Sequence, residues 1–436
     1  MIPRAPEVPA EFVDAVRTLR RDFPEPAARY RLPLSLNTFG DLEVAAALET
    51  LVRGPLTQGP RVAAFEAEFA GAHGRPDAVF CNSGSSANLL AFAALTRPPE
   101  IGSGPPPGDE ARPPIAPGDE VVVPAVTWST TLWPIIQVGA VPVLADVSAE
   151  TLNVTVESVE RALSPRTKAV FAVHLLGNPA PADELMRLAE RRGLILLEDA
   201  CEALDAEIGG RRAGAFGRMG TFSFYFSHHI CTIEGGMVLC ERAEDAEALR
   251  VLRAHGWTRP LPEAKRRAIE GAHPDLDPRF LFVGAGYNLR GTDLQAALGR
   301  AQFGRRGDFL LRRKRAAAAW TAARERHGDL FAPVRFHPGA SHFAFPLVLR
   351  PEARVTRRRL VEFLESRGVE TRPLVAGNLA RQPALRRLPH RIAGPLTGAD
   401  RLHDRAIYVG IHPGLTDEAI ALLPAILDEF SREVRR

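Results

Sequence analysis

The stretch CNSGSSANLLAFAAL, Cys81 to Leu95, sets glycine and serine directly before an apolar helical run. At such a helix start the first backbone N–H groups lack intrahelical acceptors, and with the hydroxyls they form a cradle suited to phosphate. The same residue types also serve as plain helix caps, so the motif alone leaves both readings open. LILLEDACEAL, Leu194 to Leu204, ends a buried apolar run on Glu198 and Asp199. A carboxylate at the C-terminal end of a parallel strand faces the crevice where α/β proteins bind ligands, and there it can keep a pyridine nitrogen protonated. Asp199 as the cap of a following helix is the alternative. His228, His229 and Cys231 in SHHIC carry metal-binding atoms. Adjacent side chains of an extended segment point to opposite faces, however, which argues against a shared metal. GAGYNLRG, 284–291, departs from the GxGxxG spacing of a dinucleotide loop and is discounted.

These groups need a scaffold, and the chain supplies one in short apolar runs: EVVVPA (120–125), VPVLADV (141–147), KAVFAVHLL (168–176), LILLED (194–199) and GGMVLC (235–240). They are near-continuous rather than alternating, which predicts parallel strands covered on both faces. ADELMRLAERR lies between two of them, with Leu185, Leu188 and Ala189 at the i, i+3, i+4 spacing of one helix face. Strand, helix, strand predicts a layered α/β fold with a mostly parallel sheet. Arg97–Asp119 is so rich in proline and glycine that it reads as an irregular surface loop. Ala/Arg-rich helical stretches run to about His327, and HFAFPLVLR then starts a new strand pattern, so a large domain over 1–328 and a small C-terminal domain over 329–436 are expected.

Composition narrows the function. The 436 residues are 45% hydrophobic, with 55 basic and 52 acidic residues leaving a net +3. The basic residues are scattered, so the footprint of a nucleic-acid binder is missing. No run reaches the roughly 18 apolar residues of a membrane span, and the first residues lack the apolar centre of a signal peptide; a cytoplasmic location is expected. Cys81, Cys201, Cys231 and Cys240 form no CxxC pair and read as reduced, mostly buried thiols.

Taken in order, LVRGPLTQGPRVAAFEAEFA, VPAVTWSTT, EDACEAL, FSFYFSHHICTIEGGMV, GYNLRGTDLQAALG and HPGLTDEAI resemble the sugar aminotransferase family of the DegT, DnrJ, EryC1 and StrS proteins, over nearly the whole chain. The resemblance implies a fold-type I, pyridoxal-phosphate-dependent transferase, working as a homodimer with active sites at the subunit interface. It implies that Gly84, Ser85 and Ser223 bind the cofactor phosphate and that Trp128 stacks on the pyridine ring. Asp199 would pair with the ring nitrogen. Glu202 stands where the family usually has glutamine or a similar polar group near the ring hydroxyl, and Asn288 would reach the phosphate of the neighbouring subunit.

One position departs from the family. Where its pattern has the lysine that holds the cofactor covalently, this chain has His228, and Phe222–Val238 contains no lysine at all. SHHICTIEGGM, TWSTTLWPI, LLGNPA, LRAHGWTRPLP and GYNLR together resemble a histidine-bearing dehydratase branch of the family. That branch implies pyridoxamine phosphate held noncovalently, a nucleotide-linked 4-keto-6-deoxyhexose losing its C3 hydroxyl, glutamate as the amino donor, and His228 moving protons, a task suited to an imidazole that ordinarily titrates near 6.5. A second histidine-bearing branch carries an iron–sulfur cluster on closely spaced cysteines after the His-His pair; here no cysteine follows Cys240, so no metal is expected. The remaining alternatives are an aminotransferase lacking the lysine and a non-catalytic cofactor-binding sensor. PLVAGNLARQPAL, 373–385, is the expected substrate-contacting loop.

Overall fold

The computed structural model describes residues 8–23, 29–101 and 115–435. Of the proline-rich loop expected over 97–119, positions 102–114 lie outside the described residues. The strands are β1 (Asp77–Cys81), β2 (Glu120–Pro124), β3 (Val141–Ala145), β4 (Thr167–Val173), β5 (Ile195–Asp199), the short pair β6 (Glu207–Ile208) and β7 (Arg211–Arg212), then β8 (Met219–Ser223) and β9 (Gly236–Cys240). Further on come β10 (Ala344–Val348), β11 (Thr371–Pro373), β12 (Arg391–Ile392) and β13 (Ala406–Gly410).

Eight strands form one sheet in the order β1-β9-β8-β5-β4-β2-β3-β12. From β8 to β12 every pairing is parallel. β9 runs against both of its neighbours, which corrects the parallel reading of GGMVLC. Its link from β8, residues 224–235, consists of turns and bends; without a crossover helix the chain returns antiparallel. The apolar composition of the strand is unaffected, because β9 is buried throughout whichever way it runs.

Helices cover the sheet as the periodicity predicts. Ala182–Arg192 buries Ala182, Leu185, Leu188 and Ala189 and ends on Gly193 at φ 64°, a left-handed cap that costs glycine little. Gly84–Thr96 is apolar nearly all round and is correspondingly buried on most sides. The stretch ending near His327 is one helix of 34 residues, Asp293–Arg326, opened by a capping box between Thr292 and Gln295. It spans two cores: Phe303 packs with Phe65 and Phe69 near the large sheet, while Trp320 packs with Phe345 and Phe430. β10 divides its side chains between cores, Ala344 and Val348 to the large one and Phe345 and Leu347 to the other, as a period of two requires.

Candidate active site

The candidate residues gather at the C-terminal ends of the parallel strands, around the point where the sheet order reverses between β2 and β4. Such a reversal opens a crevice in doubly wound sheets. After β1, Ser83 caps the helix Gly84–Thr96, its hydroxyl accepting from Ser86 N at 3.1 Å. Ser83 is therefore the cap, and the N–H groups of Gly84 and Ser85 remain free of intrahelical acceptors for another ligand. A Cβ built on Gly84 would stand 2.5 Å from Ser223 Cβ and 3.1 Å from Cys201 Sγ. The end of β8 and the start of the helix thus touch, which brings Gly84, Ser85 and Ser223 to one place.

Asp199 ends β5, buried, and accepts from Thr131 Oγ1 at 2.8 Å, Asn88 Nδ2 at 3.1 Å and Cys201 N at 3.1 Å. The chain beyond it makes turns, so it caps no helix. Its neighbour Glu198 points the other way, fully buried, taking Phe216 N and Gly217 N at 2.6 Å, Gly214 N at 2.8 Å and His174 Nε2 at 3.0 Å. Burial alone would raise the Glu198 pKa, but His174 and these N–H groups outweigh it and hold the carboxyl below its ordinary range. Glu198 fastens the strand, and Asp199 is left for the crevice.

Trp128 precedes the helix Ser129–Gln137 and is 57% exposed, a large ring face open beside the crevice. Ser85 Oγ donates to Thr130 Oγ1 at 3.0 Å and Asn88 Nδ2 to Thr130 O at 3.1 Å, which locks that helix to the start of the helix Gly84–Thr96. The loop 373–385 returns to the same corner: Leu379 N donates to Ala125 O at 2.8 Å. Glu202 accepts from Leu176 N at 2.8 Å. Burial, aided by the charge of Asp199, pushes its pKa up to about 7.

His228 sits on a tight turn, its N–H donating to Tyr225 O at 2.9 Å. Its ring meets Phe343 edge-on at 5.0 Å, and His229 lies over the same phenyl at 5.8 Å. The two imidazoles therefore do not point to opposite faces, as an extended segment predicts, because the segment is turned. Phe343 N donates to Leu176 O at 2.9 Å, so His228 reaches Glu202 through one pair of neighbours. Burial first, and the Arg313 guanidinium second, lower the His228 pKa to about 3, and its Nδ1 has no hydrogen-bond partner among the described residues. Asn288 is exposed, its Oδ1 accepting from Arg290 Nε at 3.3 Å; the contacts of this chain do not join it to the other candidates. Asn88, Thr131 and Arg313 escaped the sequence reading. For Asn88 the available signal is a single amide inside an otherwise apolar helix.

These residues fit pyridoxal phosphate: unspent N–H groups for the phosphate, an open indole for the ring, and a buried carboxylate with three donors for the ring nitrogen. The mostly parallel sheet, the reversed β9 and this set at the strand ends define a fold-type I pyridoxal-phosphate enzyme. The chain belongs to the DegT/DnrJ/EryC1/StrS aminotransferase family, whose profile matches residues 38–427. It is 40% identical over 399 residues to dTDP-4-dehydro-2,6-dideoxy-D-glucose 3-dehydratase of Saccharopolyspora spinosa, covering 89% of this chain and 83% of that one. It is 35% identical to GDP-4-keto-6-deoxy-D-mannose 3-dehydratase of Yersinia pseudotuberculosis, covering 87% and 94%. A crystal structure of GDP-4-keto-6-deoxymannose-3-dehydratase with a trapped PLP-glutamate geminal diamine superposes with a TM-score of 0.82 at 33% identity, covering 91% of this chain and 100% of that one.

Proposed function

We propose that this enzyme removes the C3 hydroxyl from a nucleotide-linked 4-keto-6-deoxyhexose, using pyridoxal phosphate in its amine form and glutamate to restore that amine. The substrate class follows the related 3-dehydratases. The observation that carries the reading is His228, an imidazole with a partnerless Nδ1 on the turn after Ser223, where the family has its lysine. Bound as the amine, the cofactor would supply the group that condenses with the C4 ketone and a conjugated system that carries the electron pair left by proton removal toward C3, where the hydroxyl departs with its own bonding pair.

The chain's own groups divide the remaining work. Gly84 and Ser85 N–H and the Ser223 hydroxyl bind the phosphate at the positive end of a helix. Asp199 keeps the ring nitrogen protonated, and Trp128 covers one ring face. Glu202, holding its proton up to about pH 7, is a donor for the ring hydroxyl. His228, neutral at working pH, accepts the proton of the carbon that bears the amine, gives it up with the departing hydroxyl, and moves protons again in the glutamate half-reaction. Two copies make the working unit, with the exposed Asn288 serving the partner's phosphate; mixing His228→Asn with Asn288→Ala subunits then recovers activity that neither has alone. The reaction runs in the cytoplasm, where buried reduced thiols such as Cys81 and Cys231 fit the redox balance.

Incubation with glutamate, pyridoxal phosphate and a GDP- or dTDP-linked 4-keto-6-deoxyhexose tests the reading. The expected products are 2-oxoglutarate, ammonia and a 3-deoxy-4-keto sugar in equal amounts. A stable amino sugar formed without ammonia would overturn it in favour of amino transfer.

A further inference from the structure

Behind His228 the fold concentrates buried nitrogen. Arg313, on the long helix, is 1% exposed. Among the described residues no carboxylate lies within ion-pair distance of it, and burial lowers its pKa to about 9. It spends its donors on carbonyls. Nη1 donates to Ile411 O, to Phe343 O at 3.0 Å and to His342 O at 3.3 Å, and Nη2 to His228 O at 3.4 Å. One guanidinium thereby ties three remote segments together: the turn of His228, the approach to β10 and the loop after β13.

The groups facing the His228 ring come from each of those segments. Tyr225 meets it from its own turn at 5.9 Å and Phe343 from the approach to β10 at 5.0 Å. Arg313 reaches it from the long helix, and His229 follows it in the chain. His342, close to His229, has Lys314 and Arg313 as its own charged neighbours. Every fixed charge in this set is positive. Among the described residues Arg313 Nε, His228 Nδ1, His229 Nδ1, Ser341 Oγ and His342 Nδ1 have no hydrogen-bond partner, and this set contains no carboxylate to stabilise an imidazolium.

We propose that Arg313 is a positioning residue for His228: its guanidinium ties the turn, through His228 O, to the carbonyls of His342, Phe343 and Ile411, and its unpaired charge keeps the imidazole in the neutral, proton-accepting form. Lysine cannot fill both roles, because an ammonium lacks the planar fork that spans several carbonyls. The inference rests on His228 being the proton carrier, but its test reads the imidazole without turnover, so either can fail alone.

The experiment is an NMR titration of the histidine rings in the cofactor-loaded enzyme, with His228 assigned by its loss in His228→Asn. In the wild type the ring should stay neutral to below pH 5. Arg313→Gln removes the charge and keeps two N–H donors; there the titration should move up by about one pH unit or more. In Arg313→Lys the titration should stay near the wild-type position while kcat falls. A purely structural role would lower thermal stability and kcat in both variants and leave the titration unmoved, which would overturn the proposal. Should the glutamine variant fail to fold, Arg313→Met is read in the same way, an upward move of the titration upholding the proposal and an unmoved one overturning it; a wild-type curve near 6.5 overturns it by itself.

Discussion

At the scale of single residues, the proposed role of His228 puts a base where the family has a covalent anchor. His228→Asn keeps a polar side chain of similar volume and removes the group that accepts a proton, so dehydration and glutamate turnover should both fall by about 10²–10⁴-fold. Ammonia and 2-oxoglutarate release measure the two halves separately; an unchanged rate in either would move the role to another residue, with His229 the first to test. The same position decides how the cofactor is held. Borohydride treatment of the wild type with pyridoxal phosphate should leave the protein mass unchanged, whereas His228→Lys should gain the mass of one cofactor per chain. Ser223 is marked only by the family resemblance, whereas Gly84, Ser85 and Asp199 could be picked out as candidates from local sequence, where a helix starts or a strand stops. Arg313 could not. It is one arginine among many in a helical stretch, and only packing against Ile411, nearly a hundred residues away, makes it singular.

Elements position these residues by contact between backbones, which leaves room for hydrogen alone at certain points. Gly84 is such a point, since its Cβ would meet Ser223 Cβ at 2.5 Å where the helix start abuts the end of β8. Gly84→Ala should push those two apart. Overpacking of this kind costs about 1–3 kcal/mol, so thermal unfolding should occur at lower temperature and pyridoxal phosphate, followed by absorbance, should bind more weakly. A variant with unaltered cofactor affinity would show that the helix start does not hold the phosphate. The strands themselves were legible because full burial demands unbroken apolar runs, as in β2 and β5. Direction was not legible for β9, because it depends on the connection and not on the strand. β12 left no apolar run: it is two residues, Arg391 and Ile392, laid beside β3, and Arg391 closes that edge by pairing with buried Glu120 at 2.6 Å.

Across the whole molecule, burying so many imidazoles ties stability to pH. Burial lowers the pKa of His73 and His228 to about 3 and of His342 and His412 to about 4, and carries His229 well below its ordinary value. Below about 6.5 the unfolded chain binds protons on these rings while the folded chain does not, so folding loses stability as pH falls from there toward 4. Each such group contributes about 1.4 kcal/mol per pH unit within its window. Glu202 acts oppositely: with its folded pKa raised to about 7, the folded chain holds a proton that the unfolded chain releases down to about 4.5, which offsets one histidine in that range. Glu120, lowered to about 2, adds its own loss only below about 4.5. Five against one leaves the histidines in control between pH 6.5 and 4.5. Urea midpoints measured at pH 7.5, 6.0 and 5.0 should therefore drop steeply below 6.5, and a flat series would mean that the rings are hydrated and titrate normally. His73 isolates one share of the effect: it is none of the candidate site residues, and its ring stacks on Phe69 at 4.3 Å and faces Phe222 at 5.2 Å between centroids. His73→Phe should fold, keep turnover, and lessen the slope by one group's worth.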